Sequence, residues 1–436
     1  MSEPGDLRRI TYKPRVVDAE LTELLTSLRV IAIEGAKAVG KTATAVQRAR
    51  TVYALDNPGA LDVVKADRRR AFEGDKPVLI DEWQRLPDLW DMARREDDDP
   101  SNPPGSYLLT GSATPPSDAA LHSGAGRIAS VRMRPLSLCE RGVAHPTVSL
   151  HELLQGARPR LGGSTHVSLE GYVDEILGSG FPGIRPIANE RARRAQLNGY
   201  IQRVVDRDFP EQGMRVRRPE TLRGWLAAYA AASSQTTSFE TIRDAATPGH
   251  RQKPARSTTM PYRDILGRLW VLDPVEAWTP SNNLLRRLGS APKHQLVDPA
   301  LAARLLNVNT ATLLSGADVG PPIPRDGTLL GALFESLVTL DVRVYSQAAE
   351  AEVRHLRTSR GDHEVDLIVT PTDSPGVLAI EVKLSSTITD GDVRHLNWLQ
   401  RELGADLLDA IVISTGESAY RRPDGIGVVP AALLGP

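Results

Sequence analysis

The chain has 436 residues, with 53 Lys and Arg against 54 Asp and Glu and an apolar share of 41%. That length exceeds the ~100–200 residues of one ordinary domain, so two or three units are expected, and the composition excludes a disordered or fibrous chain. No apolar run reaches the length of a membrane span, the first residues are polar where a secretion signal is apolar, and the single Cys139 excludes an internal disulfide and a cysteine-based metal site, so a reducing, cytoplasmic setting without membrane contact is expected.

In the opening third, residues 30–33 are apolar and predict a strand, and residues 43–55 predict a helix. Between them Gly35-Ala36-Lys37-Ala38-Val39-Gly40-Lys41-Thr42 spells G-x-x-x-x-G-K-T. Strand, glycine-bracketed loop and helix in that order form a phosphate cradle, with loop N–H groups and the helix start facing the phosphates of ATP. Lys41 places a charge on the β- and γ-phosphates, and Thr42 offers its hydroxyl to Mg²⁺. The next apolar run, residues 77–80, ends in Asp81 and Glu82. Asp81 suits the second shell of Mg²⁺, and Glu82 suits orientation of an attacking water. A third run, residues 106–109, ends in Thr110 and Ser112, hydroxyls that fit either a γ-phosphate sensor or ordinary turn chemistry. Arg127 fits either an arginine finger reaching a neighbouring subunit or a plain surface arginine.

The middle third begins at the breaker cluster of residues 178–183. Helices are predicted over 191–209, 221–232, 239–246 and 258–269, and residues 270–272 and 275–278 suggest the two strands of a wing. This order resembles a winged helix, which docks either DNA or protein. Residues 1–150 hold 21 basic and 21 acidic side chains, residues 151–325 hold 23 and 16, and residues 326–436 hold 9 and 17, for net charges of 0, +7 and −8. A DNA surface would therefore fall in the middle third, where Arg251, Lys253, Arg256, Arg263 and Arg268 lie near the candidate recognition helix.

In the last third a helix is predicted around residues 331–338 and strands over 342–346, 353–358, 364–369 and 377–383. A helix over 390–403 and a strand over 410–414 follow. With 353–358, 364–369 and 377–383 as its three central strands, the order αβββαβ with Asp366, Glu381 and Lys383 resembles that of a PD-(D/E)XK nuclease core. Strand alternation puts Glu381 and Lys383 on one face. Asp366 and Glu381 would share Mg²⁺, Lys383 would position water, and Glu335 would approach from the helix. The acidic balance of this third opposes DNA binding, so a structural or protein-contact role stands beside the nuclease one.

Taken together, GAKAVGKTA at 35–43, LIDEWQRLPDLW at 79–90, LLTGSA at 108–113 and RPLSLCE at 134–140 resemble a prokaryotic family of AAA-superfamily ATPases. The likeness extends through GFPGI at 180–184, YIQRVVDRDF at 200–209, PKHQLVDPALAARLL at 292–306, LFESLV at 333–338, HEVDLIV at 363–369 and AIEVK at 379–383. The C-terminal region of that family is a named domain of unknown function. The family pattern has a more basic P-loop interior and a further Thr after Lys-Thr, where this chain has Ala36, Ala38 and Ala43. The resemblance implies ATP binding and hydrolysis. The expected architecture is α/β: a P-loop ATPase domain of AAA/ASCE type (1–150), an α-rich winged-helix-like domain (151–325) and an α/β nuclease-like domain (326–436). Three functions fit: an ATPase switch that repositions the C-terminal units, an ATP-gated metal-dependent nuclease, and a non-catalytic DNA or protein adaptor. Oligomerisation is compatible with each.

Overall fold

The computed structural model describes residues 12–112, 126–214, 218–246, 256–278, 291–316, 319–323, 327–358 and 361–436. Of the candidate residues named above, Arg251 and Lys253 lie outside these segments.

Five strands form the N-terminal sheet: β1 (Val30–Glu34), β2 (Thr51–Ala54), β3 (Val78–Asp81), β4 (Tyr107–Gly111) and β5 (Ala129–Arg132). Their order is β2-β3-β4-β1-β5, and every neighbouring pair is parallel. Strand β4 thus stands between the strand that feeds the glycine loop and the strand that ends in Asp81. Alternation sends Ile31 and Ile33 into one core and Val30 and Ala32 into another. Both sheet faces are covered, which is why these strands are continuous apolar runs. The N-terminal unit is a parallel-sheet α/β P-loop fold.

The helix expected over 43–55 is cut short. It spans Lys41–Val46, and Thr51–Ala54 is instead the edge strand β2, paired Thr51 to Val78 through Ala54 to Asp81. β-Branched Thr51 and Val52 and aromatic Tyr53 favour that pleated position once β3 offers its edge.

A helical middle follows: Leu169–Gly178, Glu190–Arg203, Pro219–Ala231, Phe239–Ala245, Arg256–Arg268, Pro299–Leu305 and Thr310–Leu314. The Glu190–Arg203 helix continues into a π-helical turn, Val204–Asp208. The expected wing is not formed. Leu272 bridges Leu296, Val275 bridges Lys293 and Ala277 bridges His355, so the two segments pair elsewhere and not with each other. The residue between them explains this. Asp273 is buried and ion-paired to Arg132 at 3.0 Å, to Arg134 at 2.9 Å and to Arg343. A would-be hairpin tip is thereby pinned against the units on either side.

In the C-terminal part the Leu329–Ala348 helix runs 20 residues and absorbs residues 342–346, which were expected to be a strand. Val342 and Tyr345 pack in the same core as Leu333 and Leu337, so tertiary burial overrides their strand preference. Near residue 150, β6 (Val148–Ser149) precedes a short helix, Leu150–Leu154. After the long helix come β7 (Ala351–Arg357), β8 (Glu364–Pro371), β9 (Val377–Lys383), the Arg394–Leu403 helix and β10 (Leu407–Ser414). The observed order is therefore α-β-β-β-α-β. Two short strands, β11 (Tyr420–Arg421) and β12 (Gly427–Pro430), complete a mixed sheet in the order β11-β12-β10-β9-β8-β7. The last strand, β13 (Leu434–Gly435), pairs with β6, and Ser164 bridges Ser418. Residues 148–165 thus pack with the C-terminal strands. One buried cluster runs through all three parts, from Leu21 and Val131 through Tyr172 and Trp225 to Leu333 and Ile413.

Candidate nucleotide site and C-terminal carboxylate cluster

The glycine loop curls back on itself between β1 and the Lys41–Val46 helix. Gly35 has φ +144° and Gly40 φ +104°, and Ala38 also sits in left-handed space at φ +66°. At Gly35 the need for glycine is steric as well, since a Cβ there would lie 2.2 Å from the Met133 carbonyl oxygen. Inside the curl Lys41 is buried, and its Nζ donates to the Gly35 and Ala36 carbonyls at 2.8 and 2.9 Å. Burial lowers Lys41 to about 8, against the pull of Glu82 and Asp81.

Asp81, at the end of β3, accepts from Thr42 Oγ1 at 2.7 Å and from Thr110 Oγ1. Burial raises Asp81, and the two hydroxyls act against it. Glu82 follows in left-handed backbone, φ +57° and ψ +44°, a conformation that costs a non-glycine residue ~1–3 kcal/mol and clusters at functional positions. Its carboxylate accepts from Ser112 Oγ at 3.2 Å and from Gln84 Nε2. The loop, Thr42, Asp81, Glu82, Thr110 and Ser112 are therefore brought together. Their donor set suits a nucleoside triphosphate with Mg²⁺: a curled loop, an ammonium on loop carbonyls, and a hydroxyl–carboxylate pair at the metal position.

Lys37, Thr42, Asp81, Glu82 and Ser112 line a cleft of about 610 Å³ whose far wall is the π-helical turn. Arg203, Arg207 and Asp208 face the cleft, and Lys37 of the glycine loop is ion-paired to Asp208 across it. Arg127 is elsewhere. It is exposed and ion-paired to Asp98 at 2.6 Å, so its guanidinium is engaged on its own unit. The sequence assigned no role to Arg203, Arg207 or Asp208. YIQRVVDRDF carries no local signal of a site, because its relation to the loop exists only after the middle helices pack.

In the C-terminal part Glu335, Asp366, Glu381 and Lys383 line a second cavity of about 510 Å³. Asp366 Oδ2 accepts the Val382 N–H at 2.9 Å, and Lys383 Nζ is paired to Glu381 at 2.9 Å. The sequence did not foresee Lys293. Its Nζ lies 3.0 Å from Glu335, 3.1 Å from Glu364 and 2.8 Å from Asp366. Burial opposes its charge, yet Asp366, Glu335 and Glu364 raise Lys293 well above the ordinary lysine range. Burial likewise acts upward on Asp366, but Lys293 and Lys383 hold it below the usual carboxylate range. Burial, with Asp366 beside it, raises Glu335 to about 8. This donor set does not fit a divalent cation as the sequence suggested, because an ammonium already sits among the acids. Among the described residues no group of three or more His, Cys, Asp or Glu is arranged to hold a metal ion.

Arg263 in the Arg256–Arg268 helix pairs with its neighbour Asp264 at 3.2 Å and lies over the Phe239 ring. No helix among the described residues is long and apolar enough to cross a membrane.

Residues 27–141 match the family model of an AAA domain. Residues 169–312 and 330–434 match two domains of unknown function, DUF8612 and DUF4143. Over 425 residues the chain is 24% identical to the uncharacterized proteins Rv2008c of Mycobacterium tuberculosis and Mb2031c of Mycobacterium bovis, covering 95% of this chain and 82% of each relative. Among solved structures it is similar to the Walker-type ATPase PABY2304 of Pyrococcus abyssi, with a TM-score of 0.40 and 16% identity over 69% of this chain and 97% of that one.

Proposed function

We propose that the chain is a Mg²⁺-dependent ATPase whose nucleotide state is passed to the units beyond the P-loop domain. The observation that carries this reading is the meeting of the Thr42–Asp81 pair and Glu82 in one cleft between the sheet and the middle helices, beside a glycine loop that holds Lys41 buried on its carbonyls. Lys41 exchanges its loop carbonyls for phosphate oxygens and so gains a partner of full opposite charge. Thr42 and Asp81 hold Mg²⁺, which when bound neutralises phosphate charge. Glu82, steadied by Ser112 and Gln84, orients the attacking water. Thr110 acts indirectly by fixing Asp81, and Ser112 is the hydroxyl nearer a γ-phosphate-sensing role.

The link to the rest of the chain is Lys37. Bound phosphates compete with Asp208 for its ammonium, so nucleotide binding loosens the contact between the loop and the π-helical turn. That turn continues the Glu190–Arg203 helix, which packs against the Pro299–Leu305 helix, which in turn contacts the Leu329–Ala348 helix. The switch reading is favoured over the nuclease reading because Lys293 stands at the position a metal would need.

Phosphate release by wild type and Glu82→Gln tests the ATPase assignment. The glutamine keeps Mg²⁺ coordination through Asp81 and loses the carboxylate that orients water, so nucleotide binding should persist while turnover falls by about a hundredfold or more. Equal phosphate release by the two proteins would remove Glu82 from the chemistry.

A further inference from the structure

Lys293 belongs to a segment between the Arg256–Arg268 and Pro299–Leu305 helices, yet its side chain ends inside the C-terminal cavity with 1% of its surface exposed. The three N–H donors of an ammonium match the three carboxylates it meets: Glu335 from the long helix, and Glu364 and Asp366 from β8. Asp366 uses one oxygen for Lys293 and the other for the Val382 N–H, so both are engaged. Across the antiparallel β8–β9 pair, Lys383 takes up Glu381. The acids that would coordinate a shared cation are thus divided between two lysines.

The position of Lys293 is also fixed by its backbone. Its N–H donates to the Val275 carbonyl at 2.9 Å and its carbonyl accepts the Val275 N–H at 2.9 Å, while the next N–H, of His294, donates to Gln235 at 2.9 Å. Withdrawal would break these bridges and leave three carboxyl groups without their cation, and removing one partner from a buried ionic cluster is strongly unfavourable. The lysine therefore behaves as a built-in part of the cluster and not as a mobile plug.

We propose that Lys293 is a tethered replacement for a divalent cation, making the C-terminal cluster a metal-free ionic junction between the middle and last segments instead of a metal-dependent phosphodiesterase site. This concerns a different site from the ATPase cleft and stands or falls separately.

Mn²⁺ binding by the full chain tests it, with nucleotide absent and Thr42→Ala present throughout to silence the P-loop metal position. Free Mn²⁺ is followed by its paramagnetic resonance signal. The parent should show no Mn²⁺ site that Asp366→Asn removes. Adding Lys293→Ala should create one site, at least about tenfold tighter than any in the parent, and further Asp366→Asn should abolish it. A site in the parent that Asp366→Asn removes, or a folded Lys293→Ala chain that gains none, overturns the proposal. Thermal unfolding covers the case in which Lys293→Ala folds poorly. A midpoint raised by Mn²⁺ in that variant and unmoved in the parent supports the replacement, and a midpoint unmoved in both overturns it.

Discussion

At the scale of single residues, the cleft joins side chains that lie close in sequence to others that reach it from far along the chain. The curled loop that carries Lys41 and Thr42 was legible from spacing alone, because G-x-x-x-x-G-K-T encodes its geometry locally. The position of Asp81 and Glu82 beside that loop was legible from the apolar strand that they end. The arginines that line the cleft were not. Arg127 was singled out by proximity in sequence, and it pairs with Asp98, whereas Arg203 and Arg207 reach the cleft from a helix more than a hundred residues after Asp81. Arg207 is held by Glu211 at 3.0 Å, and no hydrogen bond or ion pair engages the Arg203 side chain among the described residues. Arg203 is thus the freer of the two to meet phosphate charge in cis. Arg203→Ala should lower ATP turnover by at least about tenfold, and Arg127→Ala should leave it within about twofold. Steady-state phosphate release checks both, and the reverse ranking would favour an arginine supplied by a neighbouring subunit.

At the scale of elements, two departures from the expected structure share a cause. Residues 51–54 and 342–346 carry β-branched and aromatic side chains in both places. The first became strand β2 because β3 presents an edge, and the second stayed helical because the long helix is buried along most of its length. Local preference was the same, and packing decided. The wing failed for another reason: Asp273 is claimed by Arg132, Arg134 and Arg343 from outside its own segment. Lys293 was invisible for a similar reason, since Glu335, the nearest in sequence of its three acidic partners, is 42 residues away. The αβββαβ order and the meeting of Asp366 with Glu381 were legible because they depend on strand alternation and neighbouring hairpin strands. The π-helical turn yields its own prediction. Asp208 is buried, and burial raises its carboxyl while Lys37 acts against that rise. Asp208→Asn should free Lys37 for phosphate and tighten ATP binding by about two- to tenfold. Titration with a fluorescent ATP analogue checks this, and weaker binding in the variant would mean that Asp208 supports the nucleotide instead of competing with it.

At the scale of the whole molecule, ionisable groups buried between units set the response to pH. Burial lowers His294 and His355 to about 4. An unfolded histidine titrates near ~6.5, so unfolding takes up protons below that pH and stability falls from about 6.5 towards 4. Asp341 acts in the other direction. Its Oδ1 accepts the Leu138 N–H at 2.9 Å, its Oδ2 is buried without a partner, and burial raises the carboxyl to about 8. The unfolded carboxyl is ionised above ~4, so the folded state holds an extra proton and stability falls as pH rises from about 4 to 8. The two slopes oppose each other up to about 6.5, above which Asp341 and Glu335 continue alone of these four. Asp341→Asn should therefore flatten the loss of stability between pH 6.5 and 8, read as the denaturant midpoint, and an unchanged slope would assign that loss to other groups. The proposed nucleotide site is the cleft between the sheet and the π-helical turn. Its most direct test is calorimetric titration of Mg-ATP into the full wild-type chain and into Lys41→Ala. The expected result is one site in wild type and an affinity lower by about tenfold or more in the variant, since an ammonium–phosphate contact is lost. Equal affinity in the two proteins, or no binding by wild type, would contradict it.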